Sequence, residues 1–290
     1  MSKPKIIGVV GPTASGKTDY AISLALRVGG EVVSCDSMQV YRHMDIGTAK
    51  PTPEEMQGVA HHMIDILEPY EDFSVARYAE MARRCIDDIL SRGRVPILCG
   101  GTGLYFDSTV NNIEFKEIAA DLELRKNLSR LAAEEGNERV HALLREADPK
   151  AAESIHPNNL KRVIRALEIY KQTGRTKTEL DREQRGESIY DAEVYGMNRS
   201  RSELYSRINR RVDIMLRRGL LDEVKKLLDM GVPINSTAMQ AIGYKELAAY
   251  IGGEIRFDEA VEKIKTETRR YAKRQLTWFK KNKNIIWLDI

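Results

Sequence analysis

Over the first hundred residues, short apolar runs alternate with amphipathic stretches. Ile6-Ile7-Gly8-Val9-Val10, Glu31-Val32-Val33-Ser34-Cys35 and Val95-Pro96-Ile97-Leu98-Cys99 read as buried strands, and Met63-Ile64-Asp65-Ile66-Leu67 as a further one. Between them the spacing turns helical. Tyr20, Ala21, Leu24 and Ala25 share one face. Ser74 is placed to cap a helix whose apolar side is Ala79, Ala82, Ile86, Ile89 and Leu90, with Gly93 as its stop. Such alternation predicts an α/β fold with a parallel sheet flanked by helices.

The pattern changes near Asn112. From Asp121 to Lys171 the chain is polar, charged and helical in period, with Leu160, Val163, Ile164, Leu167 and Tyr170 on one face after a Pro157-Asn158 start. Arg175 to Ser188 reads as irregular. A strand returns at Ala192–Met197, helices broken at Gly219, Gly231-Val232-Pro233 and Gly252-Gly253 follow, and Asn284–Leu288 reads as a last strand. The expected organisation is a core of residues 1–112 and 191–290, interrupted by a helical insertion at 113–190.

Gly11-Pro12-Thr13-Ala14-Ser15-Gly16-Lys17-Thr18 joins the first strand to the first helix. Strand, G-x-x-x-x-G-K-[ST], helix is the phosphate-binding loop in its proper context, so the core is expected to be P-loop NTPase-like. The glycines let backbone N–H groups turn toward one anion, the helix N-terminus adds its dipole, and Lys17 adds a mobile cation. Thr18 offers a hydroxyl to Mg²⁺. The motif specifies a di- or triphosphate without saying which.

The chain has 290 residues, 42% hydrophobic and 31% charged, as in a soluble globular protein. No signal peptide and no membrane-length apolar run is evident. Cys35, Cys85 and Cys99 are scattered, without a C-x-x-C pair, so neither zinc nor a disulfide framework is indicated. A cytoplasmic protein is expected, and nothing in the chain suggests an obligate protein partner. The net charge of +3 hides an uneven distribution. Lys263 to Lys283 holds nine Lys/Arg and one acid, Glu267, interleaved with Tyr271, Trp278 and Phe279. That mixture suits a nucleic-acid backbone with stacked bases, even if the rings pack inward. Lys161-Arg162-Val163-Ile164-Arg165 and Arg207-Ile208-Asn209-Arg210-Arg211 add two further basic stretches.

Beside the phosphate loop stand Asp36-Ser37-Met38-Gln39-Val40-Tyr41-Arg42, Asp45–Pro51, His61–Asp65, Gly100-Gly101-Thr102-Gly103-Leu104-Tyr105, Arg165–Glu168, Gln240–Glu246 and the Arg269–Phe279 tail. In this order the set resembles the bacterial tRNA dimethylallyltransferase family over nearly the whole chain. The resemblance implies that dimethylallyl diphosphate occupies Gly11–Thr18, with Mg²⁺. The N6 amine of adenine 37 in an A36-A37-A38 anticodon loop then attacks the prenyl carbon. It implies that Asp36 is the base, at a strand's carboxyl end where open parallel sheets place their sites, although Asp36 would also serve as a turn cap.

Thr102, in its glycine-rich turn, is expected to bond the diphosphate or the target nucleotide, the small neighbours admitting a ligand. Lys17 is expected to clamp the leaving group, with Arg207 or Arg211 as a second cation. By the same resemblance Ser37, Met38, Gln39, Lys161, Arg162, Val163, Ile164, Arg165, Gln240, Ala241, Ile242, Gly243, Tyr244 and Lys245 grip the anticodon stem-loop. Arg269, Arg270, Arg274 and Trp278 of the basic tail join them. Lys161 stands where the family often has glutamine. The helical insertion is expected to close over the RNA from the side opposite the tail. No zinc-finger extension of the eukaryotic kind is present in the sequence. Lys50 reads as an RNA contact or a surface lysine. His61 and His62 would face opposite ways on a strand, so structural hydrogen bonding suits them better than a shared metal.

Three other readings compete. A nucleotide or small-metabolite kinase has the same loop but little need of an aromatic, basic tail. A nucleotide-gated RNA-binding protein without catalysis leaves Asp36 and Thr102 idle. Prenyl transfer to free AMP leaves the basic tail unexplained.

Overall fold

In a computed structural model, residues 3–111, 113, 118–183 and 186–290 are described, and they fall into two compact units. One comprises residues 1–110 and 188–290, the other 111–187.

The first unit is built on a six-stranded sheet of order β3-β2-β4-β1-β5-β6, every pairing parallel. The strands are β1 (Lys5–Val10), β2 (Gly30–Ser34), β3 (His61–His62), β4 (Val95–Gly100), β5 (Asp191–Asn198) and β6 (Ile286–Asp289). Helices α1 (Lys17–Val28), α2 (Pro53–Met56), α3 (Val75–Ser91) and α4 (Gly103–Val110) belong to its first half. The second unit holds α5 (Leu122–Glu135), α6 (Asn137–Ala147), α7 (Pro149–Ser154), α8 (Leu160–Thr173) and α9 (Lys177–Glu183). The chain returns to the first unit with α10 (Arg201–Arg217), α11 (Leu220–Asp229), α12 (Tyr244–Ile251) and α13 (Phe257–Phe279).

The central strands are apolar because both faces are covered. Ile6, Val10, Val33 and Leu98 pack under Ala82, Ile86 and Ile89 of α3. On the other face Val9, Val32 and Ile97 meet Ala21, Ile22 and Ala25 of α1. Ser74 caps α3, its hydroxyl accepting from the Arg77 amide. A third cluster joins α10 to α13 around Val212, Leu220, Tyr244 and Ile264 and rests on Val40, Tyr41 and Met44 from the loop after β2. This cluster holds that loop at the carboxyl ends of the strands.

Two elements differ from the sequence expectation. The edge strand is His61–His62, paired with Val32 and Val33, and not Met63–Leu67. Met63 (φ 63) and Asp65 (φ 54) adopt left-handed backbone that no strand accommodates, so that segment keeps only a single bridge, Tyr41 to Leu67. Within the stretch expected to be irregular, Lys177–Glu183 forms α9. Its start is a reciprocal pair: the Thr176 hydroxyl accepts from the Glu179 amide, and the Glu179 carboxylate accepts from the Thr176 amide. Leu180 is buried beneath it. Gln184 and Arg185 of the same stretch lie outside the described residues. Among the described residues no helix is long and apolar enough to cross a membrane.

Candidate active site

The site lies at the carboxyl ends of β1, β2 and β4. The loop after β1 turns on Gly11 (φ 145), Ala14 (φ 62) and Gly16 (φ 95), and Gly16 precedes α1. A positive φ at alanine persists only where the surroundings enforce it. Here they do: Arg207 Nε donates to the Ala14 carbonyl (2.9 Å), Arg199 Nε to the Ser15 carbonyl (3.1 Å), and the Thr13 amide donates to Gln275 Oε1 (2.8 Å). Lys17 Nζ donates to the Pro12 carbonyl (2.6 Å), lying across the loop's mouth. Burial brings its ammonium down to about 8, against the opposing pull of Cys99 and Asp36. The Ser15 hydroxyl is buried without a partner, an orphan polar group in the loop between β1 and α1.

Asp36 follows β2. Its Oδ1 accepts from the Met38 (2.8 Å) and Gln39 (3.4 Å) amides, so the turn-cap role open to it from the sequence is real. Both bonds fall on Oδ1 and leave Oδ2 out of the cap. Burial pushes the carboxyl above its ordinary range, outweighing the Met38 amide and the charge of Lys17. Gln39 is held between the Ser34 hydroxyl (2.9 Å) and the Thr48 and Ala49 carbonyls (3.4 and 3.3 Å). Thr102 Oγ1 accepts from the Ser37 amide (3.2 Å), and the Thr102 amide donates to the Cys35 carbonyl (3.1 Å).

The glycines around Thr102 make room for protein atoms. A Cβ at Gly100 would stand 2.3 Å from the Cys35 carbonyl oxygen, at Gly101 2.0 Å from Gln275 Nε2, and at Gly103 2.2 Å from the Trp278 ring. The close approach expected of a ligand is here made by Cys35, just after β2, and by α13.

Two cavities meet at this point. One, lined by Lys17, Thr18, Ser34, Gln39, His61 and Gly101 among others, is the phosphate-loop side. The other, about 340 Å³, is walled by Met38, Ile208, Val212, Met215, Ile242 and Ile264 and reaches Arg274. Thr13, Asp36, Thr48, Ala49, Arg211 and Tyr271 line both. Asp36 and Arg211 therefore stand where the phosphate-loop cavity opens into an apolar one. Burial lowers the pKa of Arg211, and neighbouring Arg207 adds to that. Arg207 lines a separate cavity of about 410 Å³ with Arg210, Arg211 and Arg218.

Several residues expected at RNA are structural instead. Val163 (0% exposed) and Ile164 (6%) are core of the second unit. Arg165 pairs with buried Glu168 and donates to the Ile118 carbonyl (3.0 Å), whereas Lys161 and Arg162 are exposed. Tyr244 (0% exposed) donates to Glu223 Oε1 (2.6 Å). The same carboxylate accepts from the Asp45, Ile46 and Gly47 amides (2.9, 2.8 and 3.0 Å) and so shapes the loop walling the apolar cavity. Gly243 is buried and donates to Glu246, Ala241 and Ile242 are half-buried against the cavity, Lys245 is half-buried, and Gln240 is exposed. Trp278 donates its indole N–H to Asp107 (2.8 Å) and packs on Gly103, so its ring serves the fold. Arg269 is held by Asn209 (2.6 Å) and Thr266 (2.9 Å), while Arg270 and Arg274 are exposed.

Lys50 is not a surface lysine. Its side chain is 6% exposed and its ammonium joins Asp45 and Asp65, each at 2.5 Å. His61 Nδ1 bonds the Val59 carbonyl (2.9 Å) and His62 Nε2 bonds Glu31 (2.7 Å). Among the described residues no cluster of His, Cys, Asp or Glu is able to hold a metal by itself. A cation here would rest on the Thr18 hydroxyl, water and a ligand's own oxygens, the coordination Mg²⁺ prefers. Sequence reasoning assigns no site role to Gln275 or Tyr271, though their i, i+4 spacing with Phe279 on the inner side of a basic helix is visible there.

With this geometry in view, comparison with known proteins is decisive. Residues 39–282 match the family model described as IPP transferase, and residues 4–69 match that of isopentenyl transferase. The chain belongs to the IPP transferase family. It is 51% identical over 285 residues to a tRNA dimethylallyltransferase of Acetivibrio thermocellus, covering 98% of this chain and 91% of that one. A Bacillus licheniformis tRNA dimethylallyltransferase is 51% identical over 289 residues, covering 100% and 92%. Among solved structures, the tRNA isopentenylpyrophosphate transferase of Bacillus halodurans is 49% identical with a TM-score of 0.74, over 99% of this chain and 90% of that one. A eukaryotic dimethylallyltransferase, captured acting on tRNA, is 31% identical with a TM-score of 0.81, over 99% and 74%. The family's fold is thus the P-loop-type parallel sheet described above.

Proposed function

We propose that this chain transfers a dimethylallyl group from dimethylallyl diphosphate to N6 of adenosine 37, in cytoplasmic tRNAs with an A36-A37-A38 anticodon loop. The observation that carries the reading is the placing of Asp36 on the rim shared by a phosphate-loop cavity and an apolar cavity. The N6 lone pair forms a bond to the prenyl carbon as the carbon–oxygen bond breaks and diphosphate leaves with that electron pair. Asp36, through its free oxygen, takes the proton released from N6. Its raised pKa matches it to that work, since a more basic carboxylate is the better acceptor.

Lys17, Arg211 and the amides of Ala14 to Thr18 face the charge that develops on the leaving group. Arg207 shapes the loop through the Ala14 carbonyl, which leaves Arg211 as the second cation at the diphosphate. Mg²⁺, held through Thr18, would neutralise further charge on the diphosphate. Ser37 and Met38 border the space for the extruded adenine, with Thr102 bonded behind Ser37, and unstacking that base costs a few kcal/mol. Gln240, Lys245, Arg270 and Arg274 offer donors to the anticodon stem-loop, as do exposed Lys161 and Arg162 of the helical insertion.

The test is incubation with an unmodified anticodon stem-loop, labelled dimethylallyl diphosphate and Mg²⁺. Label on one adenine is the expected result. ATP consumption without RNA, and no transfer of label, would replace this reading by a kinase.

A further inference from the structure

We infer that Gln275 is a positioning residue that ties the phosphate loop to the basic helix α13, so that RNA docking and diphosphate binding reinforce each other. This rests on the functional reading above for the identity of the two ligands. Gln275 is 5% exposed, although its helix carries exposed Lys273 and Arg274 within one turn and exposed Arg270 in the turn before. Both ends of its amide are used. Oε1 accepts from the Thr13 amide (2.8 Å) and Nε2 donates to the Gly101 carbonyl (3.0 Å). An amide is the side-chain group that offers an acceptor and a donor side by side, so one residue joins the loop after β1 to the turn after β4.

The fit leaves no slack, because a Cβ at Gly101 would stand 2.0 Å from Nε2. One turn earlier, Tyr271 lines the phosphate-loop cavity together with Gln275. Thr102, next to Gly101, receives the Ser37 amide beside Asp36. The left-handed Ala14 next to Thr13 is a conformation the loop does not adopt on its own account. It is held by Arg207 and Arg199 at the Ala14 and Ser15 carbonyls and by Gln275 at the Thr13 amide. A ligand that settles α13 therefore settles the loop, and by linkage a ligand that settles the loop settles α13.

The experiment measures the affinity of the wild type and of Gln275→Leu for inorganic diphosphate and for an unreactive dimethylallyl thiodiphosphate. Each is measured with and without an anticodon stem-loop. For the wild type, the stem-loop is expected to tighten both ligands about fivefold or more. In Gln275→Leu the enhancement is expected to fall to about one, with the stem-loop's own affinity within about twofold of wild type. Gly101→Ala displaces the same amide from the strand side and supplies the readout if the leucine variant does not fold. A wild type without enhancement, or variants that keep it in full, would overturn the inference. A wild type that couples diphosphate to the stem-loop but ignores the thiodiphosphate would overturn the dimethylallyl reading alone.

Discussion

At the scale of single residues, Asp36 divides its labour between two oxygens. Oδ1 caps the turn through the Met38 and Gln39 amides, Oδ2 takes no part in the cap, and the residue lines both cavities. Asparagine keeps the capping oxygen and loses the base. Asp36→Asn is therefore expected to lower single-turnover transfer by about 10²- to 10⁴-fold while the stem-loop affinity stays within about threefold. Equal losses in both measurements would make Asp36 a binding residue. The motif containing Asp36 and the phosphate loop were legible in the sequence because each is a short, local pattern. The roles of Lys50, Gly101 and Tyr244 were not, because their partners, Asp65, Gln275 and Glu223, are distant in sequence or unremarkable in type. Val163 and Ile164 are core and not RNA contacts because the basic stretch 161–165 is helical, which turns its apolar positions inward and leaves Lys161 and Arg162 exposed.

At the scale of elements, α13 shows how one helix carries two functions on two faces. Ala272, Gln275 and Phe279 are buried, Phe279 meeting Phe106 edge to face, while Arg270, Lys273 and Arg274 face solvent. The exposed pair Arg270 and Arg274 is the one to remove, since Arg269 is engaged with Asn209. Replacing both by alanine is expected to reduce the slope of log affinity for stem-loop against log salt by about 2, near one unit for each phosphate that no longer meets a cation. An unchanged slope would make the helix's basic face irrelevant to RNA. The inner face yields an opposite expectation. Gly103→Ala drives a methyl into the Trp278 ring and should destabilise the fold by about 1–3 kcal/mol with the salt slope intact, read by urea unfolding. The strands and long helices were legible because their periods are strong and their caps local. His61–His62 was displaced from the expected Met63–Leu67 because left-handed backbone at Met63 and Asp65 is set by tertiary bonds, among them Lys50 to Asp65. Helix α9 was missed because a polar composition concealed the Thr176–Glu179 capping pair.

At the scale of the whole molecule, the parallel sheet separates stability from chemistry by putting them at opposite ends. Asp36, Thr102 and the phosphate loop follow the carboxyl ends of the strands, whereas Glu31 lies near the amino end of β2. Its buried carboxylate accepts from Arg92 at the end of α3 (2.9 Å), from His62 on β3 (2.7 Å), and pairs with Arg94 before β4 (3.4 Å). One side chain thus pins a helix and the strands on either side of its own. The hydrogen bonds from Arg92, with help from His62 and against the cost of burial, hold its carboxyl down to about 2. An unfolded glutamate titrates near about 4.3. Because the folded value is the lower one, the stabilisation is complete above the unfolded value. It is lost as pH falls through about 2, below which both states bind the proton. Glu31→Gln is expected to cost on the order of 2 kcal/mol at neutral pH, with the gap from wild type narrowing steadily as pH falls below about 4.3. Urea unfolding of both proteins from neutral to acid pH reads that gap, and single-turnover transfer at neutral pH should be unchanged below the variant's melting temperature. A gap independent of pH would show that the glutamate acts by shape and not by charge. A fall in transfer without a fall in stability would show that the two ends of the sheet are not insulated from each other.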